Sequence, residues 1–467
     1  MTTAPFTGRL LGRWLADAEV AAELRGDLDA GAMTVATDSR ALPAGACFVA
    51  LTGPNFDGHR FVGDAFEGGA VGVITRKVVA PPVGGWLIAV PDPLAALQVI
   101  GARWRRRLAT PLVAITGSCG KTTTREMIVA VGGATCLPTC ASAANHNNEI
   151  GVPLTLLSLR PHHRLAVVEL GMNHPGEIGL LTLLARPDVG AITRVGAAHL
   201  EGVGDIDGVA GAKGELPAEM APGRPVALNR DDPAFPRLAA AAHGPVITFG
   251  RHRSATVRWQ RRDEALLLTA GGETATVPLP PGDHLAEDAA CAAACGLALG
   301  LPLTAIATGL SRFRPLAGRG ARLPLPDGGE LIDESYNANP DSMGAALALL
   351  TAAPSPRVAI LGDMLELGSA ATALHRELGA QAARACDHLI AVGGHAADVV
   401  TGAGFGEAVA DWQGALAAVQ PLLDSRPTLL VKGSHSVHLD RLVGALRAPG
   451  GGDWGVGDEG GSARRAG

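Results

Sequence analysis

"AITGSCGKTTTREM", residues Ala114 to Met127, is the stretch whose reading decides the fold. Gly117, Gly120, Lys121 and Thr122 follow the apolar run "PLVAIT" and open a helix-forming segment, the strand–loop–helix context of a phosphate cradle. Backbone N–H groups of such a turn and the helix N-terminus face phosphate oxygens, Lys121 adds charge, and the Thr122 hydroxyl is placed for Mg2+. The common form of this loop has a glycine five places before the Gly120-Lys121 pair, where this chain has Ile115. The loop is therefore a shortened variant. A functionless glycine turn would leave the strand, the lysine and the threonine around it unexplained.

Outward from the loop, apolar runs alternate with helix-like segments. "PLVAITG", "RLAVVELG", "VGAITRVG", "RVAILGD", "DHLIAVGG" and "TLLVKGS" each end in or near a glycine or polar residue. That is the pattern of βα units around a parallel sheet, where ligands sit off the carboxyl ends of the strands. The expected fold class is α/β in three domains, because 467 residues with 47% hydrophobic content hold more apolar material than one core needs. "VVAPPVGGWLIAVPDP" (78–93) reads as the edge of a small first domain, and "RFRPLAGRGARLP" (312–324) as a linker into the third. The expected boundaries are 1–108, 109–314 and 315–450, followed by a Gly-rich disordered tail over 451–467.

A net charge of −6 supplies no electrostatic footprint for nucleic acid. The one dense basic run, "RWRRR" at Arg103 to Arg107, reads as a solvated helix face. Seven cysteines without a CxxC pair, two couples of them at helical spacing (Cys136/Cys140 and Cys291/Cys295), fit a reduced, cytoplasmic protein. The N-terminal "MTTAPFTGRLLGRW" lacks a signal peptide's apolar core. Ala289 to Leu310 runs 22 residues without a charge, enough by count to cross a bilayer. Its Ala and Gly content and Pro302 predict instead a buried helix, a turn and a second helix, so neither membrane nor nucleic acid is an expected partner.

A magnesium site needs hard oxygen ligands besides a hydroxyl. Glu169 closes the strand "LAVVEL", "AAHLEG" supplies His199 after another strand, and "AGAKGE" supplies Lys213 on the next helix. A strand-end acid is common, and a lone histidine is more often a structural hydrogen-bonder than a ligand. The conjunction of all three behind one phosphate loop carries the weight.

"ITGSCGKTTTREM", "NHNNEIGVPLTLL", "VVELGMNHPGEI", "AAHLEG", "AKGE", "IDESYNANPDSM", "LGDMLELG" and "LLVKGSHS" together resemble the Mur ligases that build the bacterial cell-wall precursor. "TDSRALPAGACFVALTGPNFDGHRFVGDAFEGGAVGVI" extends the resemblance to the N-terminal domain, so it spans nearly the whole chain. That superfamily uses a compressed loop, T-G-[ST]-x-G-K-[ST], which accounts for Ile115. "SYNANP" and "NNEIGVPLTLL" favour the member that joins D-alanyl-D-alanine to a UDP-N-acetylmuramoyl-tripeptide. The resemblance implies a small N-terminal α/β UDP-binding domain, a central P-loop ATPase domain with a mostly parallel sheet, and a C-terminal Rossmann-like α/β domain. It implies an ADP-forming amide ligase of peptidoglycan synthesis, monomeric and cytoplasmic, using ATP and Mg2+. ATP would phosphorylate the tripeptide's terminal carboxylate and the dipeptide amine would attack the acyl phosphate, with no Ser or Cys nucleophile.

By the same resemblance ATP would meet Gly117, Ser118, Cys119, Gly120, Lys121, Thr122 and Thr123, with Asp288, the linker Arg319 and Tyr336. Thr122, Glu169, His199 and a Lys213 that the family commonly carbamylates would hold metal. Lys121, His199, Lys213 and Asn148 are the catalytic candidates. Ser39 and Arg40 of "TDSR", with Asn55, Asp57 and His59, would take the UDP end. The Arg40 guanidinium can fork onto diphosphate oxygens, the alternative being a surface salt bridge. Asn147, Asn337, Asn339, Lys432 and Ser434 complete the substrate set. Tyr336, the sole tyrosine, has adenine stacking and simple packing as equal readings.

Four positions depart from the family's pattern: Cys119 for Asn, Asp288 for an adenine-contacting Asn, Glu334 for the second Asp of "DDSYNANP", and His435 for the Arg of "VKGSR". A thiol bonds more weakly than an amide, and an ionised carboxylate cannot donate to a ring nitrogen. The competing readings are a sibling such as the diaminopimelate- or lysine-adding ligase or folylpolyglutamate synthetase, and a P-loop switch or kinase. A switch has no use for the "TDSR" segment or for Lys213.

Overall fold

The apolar run that precedes the phosphate loop is a fully buried strand inside a nine-stranded sheet. In this computed structural model the described residues are 4–143, 145–262, 265–326 and 328–448. The tail expected over 451–467 lies outside them. The chain divides into two compact units, one ending at Phe313 and the other beginning at Arg314.

The first unit opens with a five-stranded sheet of β1 (Glu23–Gly26), β2 (Thr34–Ala36), β3 (Ala46–Val49), β4 (Gly72–Thr75) and β5 (Trp86–Ala89). Their spatial order is β1-β5-β4-β3-β2, parallel except for β1. The stretch 78–93, read above as a domain edge, instead contains the inner strand β5. Pro81, Pro82, Gly84 and Gly85 occupy the approach, and the four residues after them are all buried. Helix α1 (Pro93–Arg107) follows, started by the Asp92 carboxylate, which accepts from the N–H groups of Leu94 and Ala95. Its basic end also differs from expectation, because Arg105 is 7% exposed. The guanidinium donates to the carbonyls of Ala185 and Arg186, which close another helix, and to Asp188 at 2.9 Å. Orphan carbonyls at a helix end draw a cation inward.

The nine-stranded sheet is built from β6 (Leu112–Thr116), α2 (Lys121–Ala134), β7 (Thr139–Ala141), α3 (Gly151–Ser158), β8 (Leu165–Glu169), α4 (Glu177–Ala185), β9 (Val189–Ile192), α5 (Leu200–Val203), α6 (Ile206–Glu219), β10 (Val226–Asn229) and β11 (Val246–Gly250). It continues through β12 (Val257–Arg262), β13 (Ala265–Ala270) and β14 (Glu273–Pro278). Strand order is β7-β8-β6-β9-β10-β11-β12-β13-β14, parallel as far as β12 and antiparallel beyond it. Helices α7 (Asp283–Ala298) and α8 (Leu303–Leu310) pack against α2. They are the helix–turn–helix that composition predicts for the charge-free stretch. No helix among the described residues is long and apolar enough to cross a membrane. One contiguous core joins the two sheets through α1, running from Phe6 and Trp86 through Leu97, Ile100 and Trp104 to Val152 and Leu156. The Trp104 indole N–H donates to the Leu159 carbonyl at 3.0 Å, so the buried ring is satisfied.

The second unit holds a six-stranded sheet of β15 (Ala321–Pro324), β16 (Glu330–Glu334), β17 (Arg357–Gly362), β18 (His388–Val392), β19 (Glu407–Val409) and β20 (Thr428–Lys432). Its order is β15-β16-β20-β17-β18-β19, with only β15 antiparallel. Helices α9 (Pro340–Thr351), α10 (Ala371–Ala382) and α11 (Leu439–Arg447) cover it. Fully buried His375 of α10 donates from Nδ1 to the Ala371 carbonyl at 2.7 Å and accepts at Nε2 from the Met364 N–H at 3.0 Å, which defines a neutral imidazole.

Candidate active site

Strand β6 ends at Thr116 and α2 begins at Lys121, so the chain turns within four residues. Gly117 has φ of 151°, and a Cβ there would lie 1.9 Å from the Thr193 hydroxyl. Gly120 has φ of 81°, and its Cβ would lie 2.1 Å from Asp288 Oδ1. No other residue fits either place. The Ser118 hydroxyl is turned inward, donating to the Gly196 carbonyl and accepting from the Gly196 N–H, both at 3.0 Å. The Thr193 hydroxyl donates to the Cys119 carbonyl. The turn is thus laced to the segment after β9, leaving its backbone N–H groups at the helix start, where anions bind. The Lys121 ammonium folds back onto the Gly117 carbonyl. Thr123, the third residue of the helix, is half-buried.

Thr122 is 6% exposed and its hydroxyl donates to Glu169 Oε2 at 3.2 Å, which sets the end of β8 against the first turn of α2. Glu169 is 2% exposed, and its Oε1 pairs with the Arg125 guanidinium at 2.8 Å. Its own N–H donates to the Ser142 hydroxyl at 3.1 Å. A buried hydroxyl and a buried carboxylate oxygen beside a phosphate turn are the hard donors that Mg2+ takes, so these residues fit that ion. Among the described residues no group of three or more His, Cys, Asp or Glu side chains is clustered for metal.

Lys213 lies on α6 and is 1% exposed, with no hydrogen bond or ion pair to its ammonium among the described residues. Burial, followed by the nearby Lys121 charge, pushes its pKa well below the ordinary lysine value, with an opposing contribution from Cys119. The structure thus places Lys213 within electrostatic reach of the phosphate turn. His199 precedes α5 in a left-handed conformation (φ 58°), three residues beyond the Gly196 that clasps Ser118. On the other flank Asn147 packs against Gly171, and exposed Asn148 accepts from the N–H groups of Ile150 and Gly151 to start α3. Asp288, 7% exposed on α7, faces the backbone of Gly120.

The candidate UDP residues form a separate group on the five-stranded sheet. Arg40 is exposed and its fork lies on Asp38, at 2.9 and 2.8 Å, with Ser39 between them. Asn55 is exposed in a tight turn, and Asp57 accepts from the His59 N–H at 3.0 Å. The His59 ring is buried, with Nδ1 2.9 Å from the Thr75 hydroxyl. Burial lowers its pKa, outweighing Asp57.

Within the second unit Lys432 is buried and donates to Glu334 Oε2 at 3.3 Å and to the Asn337 carbonyl at 3.0 Å. Asn339 caps α9 in a reciprocal box with Ser342. The Ser434 hydroxyl accepts from the Leu365 N–H at 3.2 Å. Asn337 is exposed. The Arg319 guanidinium carbon sits 3.9 Å from the Tyr336 ring centre, so packing claims one face of the ring. Tyr336 and His435 also line a cavity of about 500 Å3 with Asp333, Ser335, Asp440 and Arg447. Arg125, Ser142 and Thr193 carry the site's local order yet escape sequence reading. A charge at helical spacing from Thr122 is the one signal that points to Arg125.

This phosphate turn, on a parallel sheet with an acid and a buried lysine behind it, defines a nucleotide-phosphate-binding α/β enzyme. Residues 115–296 match the model of the Mur ligase middle domain and residues 318–435 that of the Mur ligase glutamate ligase domain. The chain belongs to the Mur ligase family. It is 35% identical over 447 residues to the UDP-N-acetylmuramoyl-tripeptide–D-alanyl-D-alanine ligase of Escherichia coli K12, covering 91% of this chain and 97% of that one. The enzyme of that name from Mycobacterium tuberculosis H37Rv is 34% identical over 476 residues, covering 89% and 92%. Among solved structures, MurF from Acinetobacter baumannii superposes with a TM-score of 0.86 at 31% identity, covering 96% of this chain and all of that one. The fold is also that of Thermotoga maritima MurF in complex with ADP, with a TM-score of 0.79 at 23% identity, covering 89% and 97%.

Proposed function

We propose that the protein is an ATP-dependent, ADP-forming ligase that adds D-alanyl-D-alanine to UDP-N-acetylmuramoyl-tripeptide in cytoplasmic peptidoglycan precursor synthesis. The observation that carries this reading is the Thr122–Glu169 contact at the phosphate turn with Lys213 buried nearby, in a chain aligned with such ligases over nearly its whole length. Residues 1–108 would hold the UDP end through Ser39, Arg40, Asn55, Asp57 and His59. Residues 109–314 would hold ATP, and residues 315–450 carry the further candidates Arg319, Tyr336, Asn337, Asn339, Lys432 and Ser434 for nucleotide or substrate.

A free carboxylate is a poor electrophile, so it is activated first. The backbone N–H groups of the turn and the Lys121 ammonium hold the ATP phosphates and stabilise charge on the moving phosphoryl group. Thr122 and Glu169 would hold Mg2+, which when bound neutralises phosphate charge. The tripeptide carboxylate takes the γ-phosphoryl and ADP leaves. The dipeptide amine then attacks the acyl carbon, losing a proton, and phosphate departs. His199 and Asn148 flank this route. Burial shifts the Lys213 amine toward its neutral form, the form that adds to CO2 to give a carbamate and a proton. A carbamate there would present anionic oxygens to metal or water near Lys121.

The test is phosphate release from ATP with UDP-N-acetylmuramoyl-tripeptide and one of three acceptors. Release that requires D-alanyl-D-alanine, and is not supported by diaminopimelate or glutamate, is the expected result. Release without any acceptor overturns the ligase reading.

A further inference from the structure

Helix α2 carries a buried charge that the loop chemistry leaves unused. Arg125 is 5% exposed, one turn beyond Thr122 and on the same helical face. Its Nη1 reaches Glu169 Oε1 at 2.8 Å, and its Nε donates to Glu126 Oε1 at 3.0 Å, with Nη2 also on that oxygen. The two oxygens of one buried carboxylate are therefore divided, Oε1 to Arg125 and Oε2 to the Thr122 hydroxyl. A buried ion pair is seldom favourable on balance, since desolvating two charges offsets their attraction. Its retention beside the phosphate turn calls for a reason other than stability. Mg2+ supplies that reason, because it tolerates little error in where its oxygen ligands stand.

We propose that Arg125 is a positioning residue for the metal–nucleotide site, fixing the rotation of the Glu169 carboxylate so that Oε2 is the oxygen presented beside Thr122. The guanidinium is itself clamped from the far side by Glu126, so its plane is set before any ligand arrives. Lysine at this place keeps the charge and loses the fork, which makes it an incomplete substitute. The inference rests on the ligase reading only for its kinetic readout.

The experiment measures Mn2+-dependent ADP binding to the full chain by calorimetry, with ADP binding in EDTA alongside. Loss of a group that orients a metal ligand typically weakens metal binding about 10–100-fold, and that is the expected effect of Arg125→Met on Mn2+·ADP affinity. Affinity for ADP in EDTA is expected to stay at the wild-type value. The Mg2+ concentration for half-maximal phosphate release should rise in parallel. A folded Arg125→Met protein whose Mn2+·ADP affinity matches wild type overturns the assignment. Should that variant fail to fold, Arg125→Lys decides, since a loss of about threefold or more supports the role and anything smaller refutes it. The binding arm needs no acceptor. Wild type that hydrolyses ATP without one would refute the ligase reading while leaving the test of Arg125 intact.

Discussion

Lys213 sets stability against chemistry, and Lys213→Met separates them. The side chain is 1% exposed, its ammonium has no partner among the described residues, and Lys121 lies within electrostatic reach. Methionine nearly matches its length and has no charge to desolvate. Replacing buried ionic groups by well-packed apolar groups of similar volume is often neutral or stabilising, by up to about 1–4 kcal/mol for an ion pair or triad. The lowered pKa already relieves part of the penalty here, so the lower half of that range, about 1–2 kcal/mol, is expected. In a unit that ends at Phe313 this corresponds to a rise in thermal midpoint of about 1.5–3 °C. Acceptor-dependent phosphate release should fall to background in the same protein. The assay is scanning calorimetry of both proteins in CO2-depleted buffer, repeated with bicarbonate. Bicarbonate should raise the wild-type midpoint and leave that of Lys213→Met unchanged. A variant less stable than wild type in CO2-depleted buffer would refute the view that this amine is kept at a cost to the fold.

Lys121→Ala should lower turnover at least about 100-fold, because it removes charge stabilisation from the transferring phosphoryl group, while unfolding free energy stays within about 0.5 kcal/mol; a steady-state assay and a denaturation curve check both. Gly120→Ala places a Cβ 2.1 Å from Asp288 Oδ1 at φ of 81°, so it should cost about 1–3 kcal/mol and abolish ADP binding by calorimetry. His375 is neutral in the fold and burial lowers its pKa. Its stabilisation is then fully present above the unfolded value of about 6.5 and lost as pH falls through the folded value. Urea denaturation from pH 7.5 to pH 5 should follow that course, and His375→Gln should flatten it; an unchanged slope in the variant would exclude His375 as the cause.

The phosphate turn was legible because its information is local: a strand, two glycines, a lysine and a threonine in a row. All six strand-like runs are strands for the same reason, since continuous apolar sequence closed by glycine suits a parallel sheet covered on both sides. The charge-free stretch resolved correctly into α7 and α8 because small residues and Pro302 argue against a span. Side chains whose partners are remote in sequence were not legible. Arg105 turns to carbonyls at Ala185 and Arg186, and Arg125 turns to Glu169. Arg40, read as a fork for diphosphate or as a surface salt bridge, has its fork on the neighbouring Asp38 in this structure. The loop residues were placed one by one, but nothing local says that Asp288 faces Gly120.

The core that runs through α1 bears on how this protein can be dissected. Trp104, Ile100 and Leu97 are wedged between Phe6 and Trp86 on one side and Val152 and Leu156 on the other. A gene fragment beginning at residue 109 would leave that second wall bare, and one ending at 108 would leave the other side of the helix uncovered. Neither piece should express as a soluble protein, whereas a division after Phe313 respects the compact units. Whatever moves the helix at one end therefore strains the sheet that carries the phosphate turn at the other.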